Sequence, residues 1–121
     1  MRLKILEPDF SICQVRNLSG VNYRDEFFFI AKTNKELSLI CQTRFVPTNY
    51  TVRNDGWKML VVDEKLDFSV IGLIANIARI LAENKISIIV QSTYDTDFVM
   101  VQEQHLIQAL RALSESGYQL D

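Results

Sequence analysis

The sequence predicts an α+β fold of two tandem ferredoxin-like units with antiparallel sheets: a βαββαβ unit over residues 57–121, preceded over residues 1–56 by a degenerate copy. Three observations predict it. Apolar residues from Val70 to Leu81 recur at three- and four-residue spacing, the period of a helix that buries one face. Ile86-Ser87-Ile88-Ile89-Val90 is β-branched and apolar, as in a buried strand. The first half alternates apolar and polar residues without a comparable helical stripe, so it supplies strands in corresponding places and weak or missing helices.

Taken in order, Phe10-Ser11-Ile12-Cys13-Gln14-Val15 alternates as a half-buried strand does. The aromatic run Phe27–Ala31 reads as a strand covered on both faces, and Glu36–Cys41 as its hairpin partner across Thr33-Asn34-Lys35. Residues 42–57 hold Pro47 and an Asn54-Asp55-Gly56 turn signal, which predicts a loop or a short helical turn. Trp57–Val62 is the next strand, ended by Asp63-Glu64-Lys65. A helix of about 14 residues follows from Val70, with Ser69 placed to cap it. The strands Ile86–Ser92 and Asp97–Val101 flank a tight connection at Thr93–Thr96. A second helix runs from about Glu103 to Ser114 and stops before Gly117, and Tyr118-Gln119-Leu120 offers a last short strand.

Composition narrows the function. With 48% apolar and 23% charged residues in 121, the chain is that of a globular domain with no apolar run long enough to span a membrane. An acid and a proline stand at Glu7-Pro8 where a secretory signal needs an apolar core, so a cytoplasmic protein is expected. Residues 1–60 carry nine Lys/Arg against six Asp/Glu and residues 61–121 four against nine, which can help two halves or two chains associate. Neither half has a basic cluster able to track a phosphate backbone, so nucleic acid is disfavoured as a partner. Cys13 and Cys41 lie in apolar stretches without C-x-x-C spacing and read as buried reduced thiols.

Two segments concentrate chemistry. At Asp67-Phe68-Ser69-Val70-Ile71-Gly72 a strand gives way to a helix start, whose unpaired N–H groups favour an anion such as a carboxylate; Gly72 lets a ligand or a backbone come close. Read alone, the segment is equally a capped helix start. Ser92-Thr93-Tyr94-Asp95-Thr96-Asp97 gathers hydroxyls and carboxylates that could receive an ammonium or a guanidinium, or simply bond their own backbone. His105 falls on an amphipathic helix, where a structural side chain is expected, and no serine has the glycines or histidine that make a nucleophile. No metal site, cofactor or catalytic set is expected, so the protein is read as a non-enzyme. A small-molecule regulatory module and a ligand-free oligomerisation or partner-docking module remain the two expectations.

Trp57–Val62, Asp67-Phe68-Ser69 with Gly72-Leu73-Ile74-Ala75, and Ile86-Ser87-Ile88 followed by Ser92–Val101 resemble the ACT-domain proteins of the CASTOR type. Glu36–Cys41 resembles the strand of the preceding ACT-like unit in that family. The resemblance implies two ACT-like units per chain and an effector, usually an amino acid, bound where ACT units meet. It places ligand contacts on Asp67, Phe68, Ser69 and Val70, on Thr93, Tyr94, Thr96 and Asp97, and on Ser38 and Leu39. The animal members sense arginine with two pairs of units in one polypeptide. A chain with one pair is therefore expected to work as a homodimer on a separate regulated protein.

Overall fold

The computed structural model describes residues 1–63 and 72–121. The strands are β1 (Arg2–Ile5), β2 (Phe10–Val15), β3 (Phe29–Lys32), β4 (Leu37–Gln42), β5 (Tyr50–Val62), β6 (Ile88–Ser92), β7 (Asp97–Gln102) and β8 (Gln119–Leu120). The helices are α1 (Leu73–Glu83) and α2 (Leu106–Glu115), and single 3₁₀ turns follow β4 at Thr43–Phe45 and β7 at Glu103–His105. The chain divides into two compact units, Pro8–Trp57 and Met1–Glu7 with Lys58–Asp121. A division at 56/57 is expected from sequence; the structure groups the first seven residues with the later unit.

In the unit Pro8–Trp57 the strand order is β3-β4-β2-β5, all antiparallel. That is the sheet order of a βαββαβ motif with both helices gone. The reason for the first of them lies in residues 16–28, between β2 and β3. Asn17 Oδ1 accepts from Ser19 N–H, Asn22 Oδ1 from Arg24 N–H, and Asp25 Oδ1 from Phe27 N–H, so three short side chains cap their own backbone and outcompete a helix. Leu18, Val21 and Phe28 of this loop, with Val46, pack on Cys13, Val15, Leu37, Leu39 and Cys41, covering the sheet face that a helix would cover.

Two expectations for this half change. The aromatic run is not a strand buried on both faces: β3 begins at Phe29, pairs among the described residues only with β4 and leaves Ile30 and Ala31 exposed at the sheet edge. Asn54-Asp55-Gly56 is not a turn but part of the 13-residue β5. Phe10 pairs with Trp57 and Ile12 with Asn54, so three steps along β5 oppose two along β2. Gly56, at φ 85°, absorbs the extra residue in a bulge.

The unit formed by Met1–Glu7 and Lys58–Asp121 keeps both helices. Here β7 pairs with β5 and β6, β5 with β1, and β1 with β8. The β1–β8 pair is parallel, with Arg2 opposite Gln119. β1, which the sequence reading did not mark, therefore sits where a plain βαββαβ unit would bring its last strand against its first. Leu3, Leu60, Val62, Val99 and Val101 on the sheet pack with Ile77, Ile80 and Leu81 of α1 and Ala109, Ala112 and Leu113 of α2. Gly72, expected in the first helical turn, lies just before it at φ 82°, and its carbonyl accepts from Asn76 N–H. The predicted cap Ser69 and the first stripe residues Val70 and Ile71 fall outside the described residues.

A spacing of 60 residues relates the two units and escaped the sequence reading. β4 with its 3₁₀ turn (37–45) corresponds to β7 with its 3₁₀ turn (97–105). The preceding turns share a backbone hydrogen bond: Thr33 N–H donates to Glu36 O at 3.0 Å and Thr93 N–H to Thr96 O at 2.9 Å. In both, the threonine Oγ1 accepts from the N–H three residues on.

Candidate functional site

The hairpin between β6 and β7 brings Thr93, Tyr94, Thr96 and Asp97 together. Asp97 accepts from Ser92 Oγ at 2.5 Å, across the terminal pair of the ladder. Thr93 Oγ1 donates to Thr96 O at 3.2 Å. Thr96 Oγ1 donates to Val62 O at 3.0 Å, which ties the hairpin to the end of β5. Tyr94, at 80% exposure, stands at the tip. Backbone and neighbouring side chains thus take up the threonine hydroxyls, and Ser92 is bonded to the aspartate. Asp67, Phe68, Ser69 and Val70 lie outside the described residues.

Ser38 and Leu39 belong to the other unit and face opposite ways on β4. Ser38 Oγ donates to Glu36 Oε1 and lines a shallow groove of about 260 Å³ with Ile12, Gln14, Val52 and Arg53. Leu39 is 1% exposed and packs in the apolar cluster around Cys13 and Cys41. On this backbone a ligand in the groove meets Ser38 and not the side chain of Leu39.

A second cavity of about 320 Å³ in the unit Pro8–Trp57 was not marked by sequence reasoning. Its lining includes Asp25, Phe27, Gln42, Arg44 and Phe45. Gln42 Nε2 donates to Asp25 Oδ1 at 2.8 Å, and Arg44 Nε donates to Gln42 Oε1 at 3.1 Å. The available signal was Gln42, a polar residue closing the apolar run Leu39-Ile40-Cys41 and followed by Thr43-Arg44-Phe45. No group of three or more His, Cys, Asp or Glu able to hold a metal occurs among the described residues, and no helix among them is long and apolar enough to cross a membrane.

The ACT domain family model matches residues 52–115, more than half of the chain, and the protein belongs to that family. A protein from Agrobacterium tumefaciens is similar over 99% of this chain and 91% of its own, with 25% identity and a TM-score of 0.86. A Vibrio cholerae protein of unknown function, described as a possible transport protein, covers 92% and 85% at 22% identity and a TM-score of 0.69. The ligand-free regulatory subunit of Thermus thermophilus aspartate kinase covers 95% and 96% at 10% identity and a TM-score of 0.65, a likeness of fold. No curated protein matches the chain in sequence. Membership of the family supports a regulatory small-molecule-binding module as the general class.

Proposed function

We propose that this protein is a non-catalytic amino-acid sensor or regulatory module of the CASTOR type, acting in the cytoplasm. Its effector is held at an interface between ACT units, and a homodimer acts on a separate protein. The observation that carries the reading is the hydrogen bond from Thr96 Oγ1 to Val62 O. It supports a site at which the hairpin lies beside the end of β5, the point from which the chain enters the Asp67–Val70 segment. In that site Asp97 and hairpin carbonyls receive the ligand ammonium, and N–H groups near Gly72 receive its carboxylate.

Thermal unfolding against a panel of free amino acids tests the reading. One member is expected to raise the melting temperature, since a ligand at about 100 times its dissociation constant adds about 2.7 kcal/mol. Asp97→Ala removes that shift and leaves the unliganded melting temperature close to wild type. A panel that leaves the curve unmoved at millimolar concentration sinks the proposal. The exposed edge of β3, with Ile30 and Ala31, supports the second reading, a ligand-free oligomerisation module. That reading predicts a concentration-dependent sedimentation profile indifferent to every amino acid.

A further inference from the structure

Asp55-Gly56 is the one Asp–Gly pair in the sequence, and no Asn–Gly pair occurs. It lies in the part of β5 where the pairing with β2 shifts register. An aspartate followed by glycine has a chemistry of its own. The glycine amide nitrogen attacks the side-chain carboxyl carbon, a C–N bond forms, and the acid hydroxyl leaves with the amide proton as water. Water then reopens the five-membered ring at either carbonyl, giving back aspartate or leaving isoaspartate, and no cofactor, oxidant or reductant takes part. Glycine allows the closure because no Cβ shields its nitrogen or restricts the chain.

Two conditions must be met, and the folded chain opposes both. The carboxyl has to turn back onto the nitrogen of the next residue, and it has to be in the acid form, whose hydroxyl can depart. Asp55 Oδ1 instead accepts from Ser11 Oγ at 2.6 Å and from Arg53 Nε at 3.1 Å. Ser11 stands on β2, so the carboxyl reaches across the sheet and away from its own backbone. Both partners favour the ionised form. They are fixed in turn: Ser11 is fully buried and lies 2.9 Å from Thr43 Oγ1, and the Arg53 guanidinium sits 5.1 Å from the centre of the Tyr50 ring. Packing gives no such protection. The Asp55 side chain is 47% exposed, and a Cβ on Gly56 would meet nothing within 4 Å.

We propose that Asp55-Gly56 is a modification site: it converts to isoaspartate when this part of β5 opens, and the contacts from Ser11 and Arg53 keep it unreacted in the folded protein. The conversion routes the main chain through the Asp55 Cβ. It lengthens β5 where Ile12 opposes Asn54 and Phe10 opposes Trp57, and it takes the carboxylate away from Ser11. A molecule that has opened and reacted therefore cannot restore the same pairing with β2, and the residue records the opening.

Incubation of the whole chain in mildly acidic buffer tests the proposal, with isoaspartate at residue 55 read by peptide mapping. Native protein is expected to accumulate it at least about tenfold more slowly than protein unfolded in urea, since the reaction follows the population of the open form. Ser11→Ala raises the native rate about fivefold, the equivalent of one lost hydrogen bond. Arg53→Gln raises it from the surface, where folding is not at stake. Val21→Ala trims the apolar cluster of the same unit and leaves Ser11, Arg53 and Asp55 in place. Compared at equal unfolding free energy, it accelerates the reaction less than Ser11→Ala does. Equal rates in native and unfolded protein, an unchanged native rate in both Ser11→Ala and Arg53→Gln, or acceleration by Val21→Ala as great as by Ser11→Ala overturns the proposal.

Discussion

Ser11 Oγ lies 2.6 Å from Asp55 Oδ1 and 2.9 Å from Thr43 Oγ1, so one fully buried serine joins the bulged part of β5 to the 3₁₀ turn after β4. Arg53 Nε approaches the same aspartate oxygen at 3.1 Å. The Ser11 hydrogen bond and the arginine hold the Asp55 carboxyl below its usual range. A carboxyl with a lowered folded pKa adds stability above about 3.8, the ordinary value, and loses it as pH falls through the folded one. Ser11→Ala is expected to cost about 1 kcal/mol near neutral pH. It should also flatten the fall in stability below pH 4, about where ordinary carboxylates titrate. Urea unfolding of both proteins across that range measures the difference, and a parallel acid limb in the variant would contradict the coupling.

The bulge itself gives a prediction of opposite character. A Cβ on Gly56 would meet nothing within 4 Å, so space is not the issue there. The backbone is, at φ 85°. Gly56→Ala should destabilise by about 1–2 kcal/mol through left-handed strain alone. Calorimetry reads it as a lower melting temperature with an unchanged fold. If the variant were as stable as wild type, the bulge would not depend on glycine.

Lys85 is a site where the same physics improves the protein. Both helices end in one motif: Tyr118 N–H donates to Leu113 O and Gly117 N–H to Ser114 O, as Ile86 N–H does to Leu81 O and Lys85 N–H to Ala82 O. α2 places Gly117 at the left-handed position, whereas α1 places Lys85 there at φ 59°. Lys85→Gly is expected to stabilise by up to about 1 kcal/mol, the relief of strain exceeding the glycine's added freedom in the unfolded chain. A lower denaturant midpoint would show that the lysine side chain contributes more than its backbone costs.

The later unit was legible because period and position agree there. Ile77, Ile80 and Leu81 form a helical stripe, and the β-branched run Ile86–Val90 contains most of β6. β6 nevertheless pairs among the described residues only with β7 and buries none of its five residues, so it is an edge strand and not the buried one its composition suggests. The earlier unit was less legible, because the same residues serve two conformations. Asn54-Asp55-Gly56 suits a turn and a bulge equally, and only the pairing of Phe10 with Trp57 decides between them. β1 was missed because four residues pairing with strands more than fifty positions away leave no local pattern. The contact between Asp25 and Gln42 was invisible for a related reason: the two are 17 residues apart in sequence. The hairpin residues Thr93–Asp97 were recognisable, since a turn between two apolar strands is local.

The two cysteines behave as a buried pair on one sheet face, both in the cluster that contains Leu39. Burial pushes the Cys41 thiol up to about 12, and Cys13 beside it and the carboxylate of Asp25 add to the shift. Burial raises Cys13 as well. The neutral thiol is therefore favoured in the folded state, and its contribution to stability is complete below the ordinary thiol value of 9.0. As pH rises from there toward 12 the unfolded chain ionises first, and stability is lost across that window. Two measurements check this. Denaturant midpoints should fall on the alkaline side of 9.0, and less so in Cys41→Ala after allowance for the cavity, which itself costs stability. Alkylation by iodoacetamide at mildly alkaline pH should be slow for the native protein and fast once it is unfolded, because the thiolate is the nucleophile. Rapid labelling of Cys41 in the folded protein would show that this face opens on the timescale of the reaction.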